Sequence, residues 1–460
     1  MYDMAMSTLP SRREIPVYLR HRAYQAAYHN GFLWGIGHGL INSMMIRYLL
    51  IDICKTRPEG FALEGMTIAW VIAAPRLFGF LRIFATWLVD RSGSRKWFCV
   101  TGLLIAPVVV AQIPLLVPRL AAEIESLKLV LTTVVAIWCL YHLVEYFAMV
   151  AFWSWVADLV PSRIRGRFFA YREAWLITGT LIGVFLSSQL LPWLFPVAKD
   201  APVWDRYLAP AMLGGLFNLL SALPLIRMPE VAWQRTQLQW VGRFRQMFAP
   251  LGNRRFMLLI IFVCWVNMAN GLTQTSQTGY NYRLFPGEQC SIVVLFGALT
   301  STGQLFLSPT TGRLLDRFGN AKIIAASMVL VSTGSLCYFA ATPETRYFLA
   351  VAALAWVFWV GVNVGTLNMA AGLAPPNEKT AYLAFYFAMI TAAMALATLA
   401  GGVVADYFRE MKFAVPVIDS VWDYPQLGFV LSWFLRLISV VWLLPFLLQK
   451  ELRKHKEPEV

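Results

Sequence analysis

Twelve apolar stretches, each long enough to cross a bilayer as a helix, constrain this chain more than any other feature. A helix rises ~1.5 Å per residue, so about 20 apolar residues cover a hydrocarbon core ~30 Å thick. The runs lie at roughly 27–53, 64–89, 97–118, 129–157, 168–195, 207–228, 256–282, 292–315, 321–342, 347–373, 381–408 and 426–449. Gly35, Gly37, Gly39 and Pro75 fall inside them, in keeping with the frequency of Gly and Pro in membrane helices. Only 14% of residues are charged and 58% are hydrophobic, against about 25% charged in a soluble domain. So little polar surface cannot cover a water-soluble globule. The chain is read as an all-α integral membrane protein.

The net charge of +14 follows from topology, because cytoplasmic loops collect Lys and Arg. The amino terminus, the even-to-odd connections with their flanking span ends, and the carboxyl tail hold 24 of the 39 Lys and Arg, against 10 in the other connections. Both termini are therefore expected in the cytoplasm, in a multi-pass protein of the cell (inner) membrane. The charge then needs no nucleic-acid partner. The 18 Trp fit interfacial belts. The six cysteines are scattered with no C-x-x-C pair, which argues against a metal centre and a disulfide framework. Arg12, Arg13, Arg20 and Arg22 precede a full-length span, unlike the short apolar region of a cleavable signal.

The longest connection, 229–255, divides the chain nearly in half. Trp233, Trp240, Val241, Phe244 and Phe248 recur there at helical spacing, with Arg235, Arg243 and Arg245 between them. That pattern predicts an amphipathic helix on the inner leaflet. The expected organisation is a cytoplasmic segment (1–26), a six-helix bundle (27–228), the linker (229–255), a second six-helix bundle (256–449) and a basic tail (450–460).

Two loop sequences recur. "TWLVDRSGSRK" (86–96) follows span two and "GRLLDRFGNAK" (312–322) follows span eight, while "LVPSRIRGR" (159–167) and "LAPPNEKTA" (373–381) follow spans four and ten. Matching loops in two halves are the mark of a transporter built from repeats. Twelve spans, a basic central loop and D-R-x-G-x-(R/K) after spans two and eight resemble the major facilitator superfamily over nearly the whole chain. The first copy departs from the family pattern at Thr86 and Ser94, the second at Asn320 and Ala321.

The resemblance implies two pseudo-symmetric six-helix bundles and a cytoplasmic gate latch. In that latch Asp90, Arg91 and Gly93 form the loop, and Asp90 caps the amino end of span eleven. Arg95 pairs with Asp158 at the base of span four, and Arg165 and Arg167 extend the cluster. Gly312, Asp316, Arg317 and Gly319 form the second loop. The alternative is that these are topology charges alone, the reading preferred for Arg163. A carboxylate near a helix amino terminus gains ~0.3–1 kcal/mol in either case.

Ionisable groups deep in spans are costly and are expected to pair or to face a wet cavity. Glu145 lies ~20 Å along span four from Asp158, and Arg76 ~21 Å along span two from Asp90. The two are expected at one height as an ion pair. His142 shares the face of Glu145, being three residues away. His38, with Asn42 one turn outward, and Arg82 complete the ionisable set in the first half. Arg172 and Glu173 are expected to join the latch. Arg436 is deep in span twelve with no evident partner. In the second half His142 and Glu145 map to Trp356 and Trp359, and Arg76 to Thr302. Neutral polar residues stand there instead, chiefly Asn267, Asn270, Gln274 and Asn363.

Glu145 is thus the candidate for a carboxylate coupled to transport, with Arg76 and His142 tuning it; the alternative is a static pair that fixes helix register. The leading reading is a monomeric secondary transporter working by alternating access. It would take a small anionic or zwitterionic substrate, a coupling proton and no cofactor. The glycine-proline motif of the family's drug–proton antiporters is missing, and Gly179 and Gly183 read as a packing surface. The alternative is a non-transporting protein of the same fold, a sensor or a factor delivering hydrophobic cargo. An enzyme is disfavoured, since a metal site wants at least three ligands.

Overall fold

The computed structural model describes residues 15–41, 73–123, 126–194, 205–231, 247–284, 289–376, 378–408, 411–415, 420–443 and 445–446. Every one of the twelve apolar runs carries helix in these residues. In chain order, α1 is Val17–Leu40. α2 is described from residue 73 and comprises helix over 73–78, a 3-10 stretch Gly79–Phe84 and helix Ala85–Ser92. Next come α3 (Arg95–Glu123), α4 (Leu127–Leu159), α5 (Arg165–Phe185, continued by a π-turn Leu186–Leu190 and Leu191–Leu194) and α6 (Asp205–Ile226). α7 is Arg254–Leu284, α8 Gln289–Phe318 and α9 Asn320–Ala340. α10 joins Phe348–Ala355 to Trp359–Leu373 through the 3-10 turn Trp356–Phe358. α11 is Lys379–Tyr407 and α12 Tyr424–Ile438. Among the described residues eight helices are long and apolar enough to cross a membrane. Residues 232–246, most of the expected linker helix, and Asn42 lie outside the described residues.

Two details differ from expectation. α1 begins directly after Pro16, well before the apolar run opens at residue 27. Between α11 and α12 an antiparallel hairpin pairs Lys412–Val415 (β1) with Ser420–Asp423 (β2). Its last residue, Asp423, caps α12 in a capping box with Gln426, and Pro425 stands in the first turn. Strands of four residues within an expected loop carry too little periodicity to be read in advance.

The chain forms two compact units. The first contains α1–α4, α5 from Tyr171 onward, α6 and the start of α11 (Ala374–Ala392). The second contains Ser162–Ala170, α7–α10, the rest of α11, the hairpin and α12.

Within the first unit, α3 and α4 pack along their length. Ala106, Val110 and Ile113 meet Val130, Val134, Trp138 and Tyr141, and Ala211 of α6 closes the cluster. In the second unit Tyr280, Tyr338, Leu349 and Phe429 join α7, α9, α10 and α12. Phe306, Leu396 and Val403 stand exposed along their helices, as a lipid-facing surface permits.

Gly93 and Gly319, the glycines of the two D-R-x-G loops, both adopt positive φ (78° and 89°). Each closes a helix: the Gly93 N–H donates to Val89 O (3.2 Å) and the Gly319 N–H to Leu315 O (3.1 Å). A side chain at such φ is strained, so the repeat keeps glycine for a backbone reason.

α1 and α5 approach backbone to backbone at glycines. A Cβ on Gly35 or Gly39 would strike the carbonyls of Leu176 and Thr180, and one on Gly179 or Gly183 those of Phe32 and Ile36. Small residues let helix backbones approach closely. The contact sets the position of the α1 turn carrying Trp34 and His38.

Gly179→Leu is expected to destabilise the protein by at least ~1–3 kcal/mol through overpacking, read as a lower midpoint of thermal unfolding in detergent. Gly402, where an added methyl group would meet nothing within 4 Å, is the control: Gly402→Ala leaves that midpoint unchanged or raises it slightly.

Candidate functional site

Glu145 faces the interior of the first unit and is 3% exposed. Its Oε1 accepts the indole N–H of Trp34 at 2.6 Å, and His142 Nδ1 lies 3.2 Å from Oε2. Trp34 and His38 stack on one face of α1, ring centroids 4.6 Å apart, because residues four apart are neighbours on a helix. Glu145 is within electrostatic reach of His38 and Arg82. The Tyr141 hydroxyl lies near both Glu145 and Asn218 of α6. A charge in a low-dielectric interior persists only with such compensation.

Aromatic rings enclose the group. His142 contacts Trp138 edge-on at 4.3 Å and lies over Tyr146 at 5.3 Å. The Arg82 guanidinium sits 3.5 Å above the Tyr146 ring and 5.3 Å from Phe387 of α11. A cation over an aromatic face gains ~0.5–2 kcal/mol. Arg82 is carried by the 3-10 stretch of α2, and mid-helix 3-10 turns often mark functional hinges. Arg76 lies within electrostatic reach of Tyr146.

A second cluster gathers the beginnings of α3 and α11 at the far end of α4. Arg95 Nη1 donates to Asp158 Oδ2 at 2.6 Å and to the Ser154 carbonyl at 3.2 Å. Lys379, the first residue of α11, donates to the other carboxylate oxygen of Asp158. Glu230 accepts Ser94 Oγ at 2.6 Å and lies against the Lys96 N–H at 3.4 Å, and the Trp155 indole donates to the Pro229 carbonyl at 3.0 Å. The start of the central connection is thereby pinned to the first D-R-x-G loop.

In the second unit Asp316 accepts the backbone N–H groups of Gly166 and Arg167, both at 3.1 Å, with Arg167 Nε at 3.3 Å. It caps the opening turn of α5. Gly312 lies against Gly166, Arg167 and Ala170, with no room for a side chain. Arg165 is buried, Asp90 is half-buried, and Arg91 and Arg317 are exposed beside Trp87 and Phe318. Arg172, expected among these loop charges, is instead buried between the Phe152 and Trp153 rings, each at 4.6 Å, with Asn30 at 3.4 Å.

The neutral residues expected in the second half divide. Asn270 accepts a hydrogen bond from Arg436 at 3.0 Å. Asn267 donates back to its own helix at Val263 O (2.8 Å), Gln274 is half-buried and Asn363 is exposed. Trp34, Tyr146, Phe387, Lys379 and Ser335 are site residues that the sequence does not single out. Trp34 has a signal, standing one turn from His38; Lys379 has its place at the head of span eleven.

Comparison with known proteins follows the same lines. Residues 291–459 match the family model described as Major Facilitator Superfamily. A riboflavin transporter from Brucella anthropi is 24% identical over 214 residues, 45% of this chain and 50% of that protein. The chain thus spans about half the length of that curated relative in the match. The human organic anion transporter structure aligns with a TM-score of 0.68 at 13% identity, covering 93% of this chain and 100% of that one. The Escherichia coli fucose–proton symporter aligns with a TM-score of 0.66 at 16% identity, covering 91% and 97%. Repeated loops, helix order and these likenesses agree: the chain is a multi-pass membrane protein with the fold of these solved transporters, and its residues 291–459 match the Major Facilitator Superfamily model.

Proposed function

We propose that this protein is a secondary active transporter that moves a small solute by alternating access, and that Glu145 couples the movement to protons. The observation that carries the reading is the arrangement at Glu145: a buried carboxylate between an indole donor and a histidine, with Arg82 and His38 in reach. A carboxylate in a span that is neither exposed to lipid nor locked to one arginine can exchange its proton as its surroundings change. His142 offers the neighbouring acceptor or donor for that proton. Arg82, held over Tyr146 and Phe387, stands within electrostatic reach of the carboxylate.

The two loop clusters act in this scheme as gate contacts on the cytoplasmic side, with both termini in the cytoplasm of a cell-membrane protein. Asp158 holds Arg95 and Lys379 together, and Asp316 holds the opening turn of α5. Breaking either favours the conformation open to the cytoplasm. The basic groups buried in both units favour an anionic or zwitterionic solute. Riboflavin and organic anions, named for two of the similar proteins, head the screen for it. The protein acts as a monomer.

In proteoliposomes with an imposed pH gradient, Glu145→Gln is expected to abolish proton-driven accumulation while preserving solute binding. Unchanged accumulation would remove Glu145 from the coupling role. Asp158→Asn and Lys379→Met should each lower the thermal-unfolding midpoint, and the double variant should cost less than the sum. The coupling energy in that double-mutant cycle is expected at ~0.5–3 kcal/mol; strict additivity would mean that the two side chains do not work as one contact.

A further inference from the structure

Arg436 lies ~18 Å along α12 from Tyr424 and is fully buried, at 0% exposure. Its Nη1 donates to Ser335 Oγ of α9 at 2.9 Å and its Nη2 to Asn270 Oδ1 of α7 at 3.0 Å. The Trp359 ring of α10 stands 5.8 Å from the guanidinium carbon. All three neighbours are neutral. The Nε–H is buried and has no hydrogen-bond partner among the described residues.

Other buried arginines are treated differently. Arg95 is bound to Asp158. Arg82 is within electrostatic reach of Glu145, and Arg172 of Glu173. Among the described residues no carboxylate does this for Arg436. The repeat sharpens the contrast, since the position corresponding to Glu145 is Trp359, which presents a ring where the first half has an acid.

A guanidinium does not lose its proton in proteins, so the charge cannot be relieved by neutralisation. A buried, unpaired charge is strongly unfavourable, and charged side chains inside membrane proteins pair or mark a binding site. The guanidinium has five N–H donors, and Ser335 and Asn270 take one each from separate nitrogens. They fix its plane without cancelling its charge. The Nε edge remains, and it is the edge that a carboxylate or phosphate engages side-on.

We propose that Arg436, oriented by Ser335 and Asn270, is an anion-binding site within the second unit, taking a small carboxylate, a phosphate or a halide at the buried Nε–H that has no partner among the described residues. Anion binding stands on this geometry alone. Identification of the anion with the transported solute rests in addition on the transport reading above.

The test is thermal unfolding of the purified full-length protein in detergent. Chloride, inorganic phosphate, acetate and citrate are titrated against the bulky sulfonate HEPES at constant ionic strength. For wild type the unfolding midpoint is expected to rise saturably by several degrees with at least one of the four. Arg436→Gln should unfold in HEPES at the wild-type midpoint or above it, because it removes a buried charge that no carboxylate among the described residues offsets, and should show no anion-dependent rise. Ser335→Ala is the second variant; it keeps the charge and should keep the rise, at a shifted anion concentration.

A rise with chloride or phosphate assigns the site to an inorganic ion. A rise confined to carboxylates that proteoliposomes also accumulate assigns it to the solute. The proposal is overturned by a flat wild-type midpoint with all four probes, or by an equal rise in Arg436→Gln. It is overturned too if the substitution lowers stability in HEPES, which would make Arg436 a structural donor between α7, α9 and α12. Anion binding itself is read without flux, so loss of transport in Glu145→Gln leaves it intact.

Discussion

Trp34 donates its indole N–H to Glu145, and through that bond α1 helps to hold a buried charge on α4. A carboxylate among apolar and aromatic side chains is stable only where hydrogen bonds and nearby cations offset its lost hydration. Here the offsets come from three helices: Trp34 and His38 on α1, Arg82 on α2, and His142 one turn away on α4. The glycine contact between α1 and α5 serves the same arrangement. Without close approach at Gly35 and Gly179, the turn bearing Trp34 would stand off from α4.

The two units solve one electrostatic problem in opposite ways. In the first, an acid is enclosed by rings and reached by cations. In the second, a cation is enclosed by a ring and neutral hydrogen-bond acceptors, with no acid paired to it among the described residues. The loops show the complementary pattern. Both D-R-x-G turns keep a glycine at positive φ, yet the acids work differently: Asp316 caps the start of α5, while at the other cluster Asp158 gathers Arg95 and Lys379. Backbone geometry is shared between the repeats, and side-chain chemistry is not.

Legibility in the sequence follows the range of the interaction. The helices are legible because a membrane span needs a long apolar run, whose length is a local property. The Arg95–Asp158 contact is legible through the family resemblance. Lys379 at Asp158 is not, although its loop matches the one after span four; a match between loops says nothing of which side chains cross. Arg172 departs from expectation for a related reason. Its charge suggests the loop cluster, whereas the Phe152 and Trp153 rings and Asn30 draw it into the bundle. The hairpin after α11 escapes because two strands of four residues leave no periodic signal.

The sequence by itself determined that this chain spans a membrane, that it is built from two related halves, and that Glu145, His142, Arg82 and Arg436 sit deep in their helices. Those properties follow from run length, repeat spacing and rise per residue, all of which are counted along one chain. Only the tertiary structure decided who meets whom: Trp34 with Glu145, Lys379 with Asp158, Arg436 with Ser335 and Asn270. Helical periodicity assigns a side chain to a face, but the neighbour on that face comes from a helix a hundred or more residues away. Its identity is set by how the helices pack, which no spacing along the chain encodes.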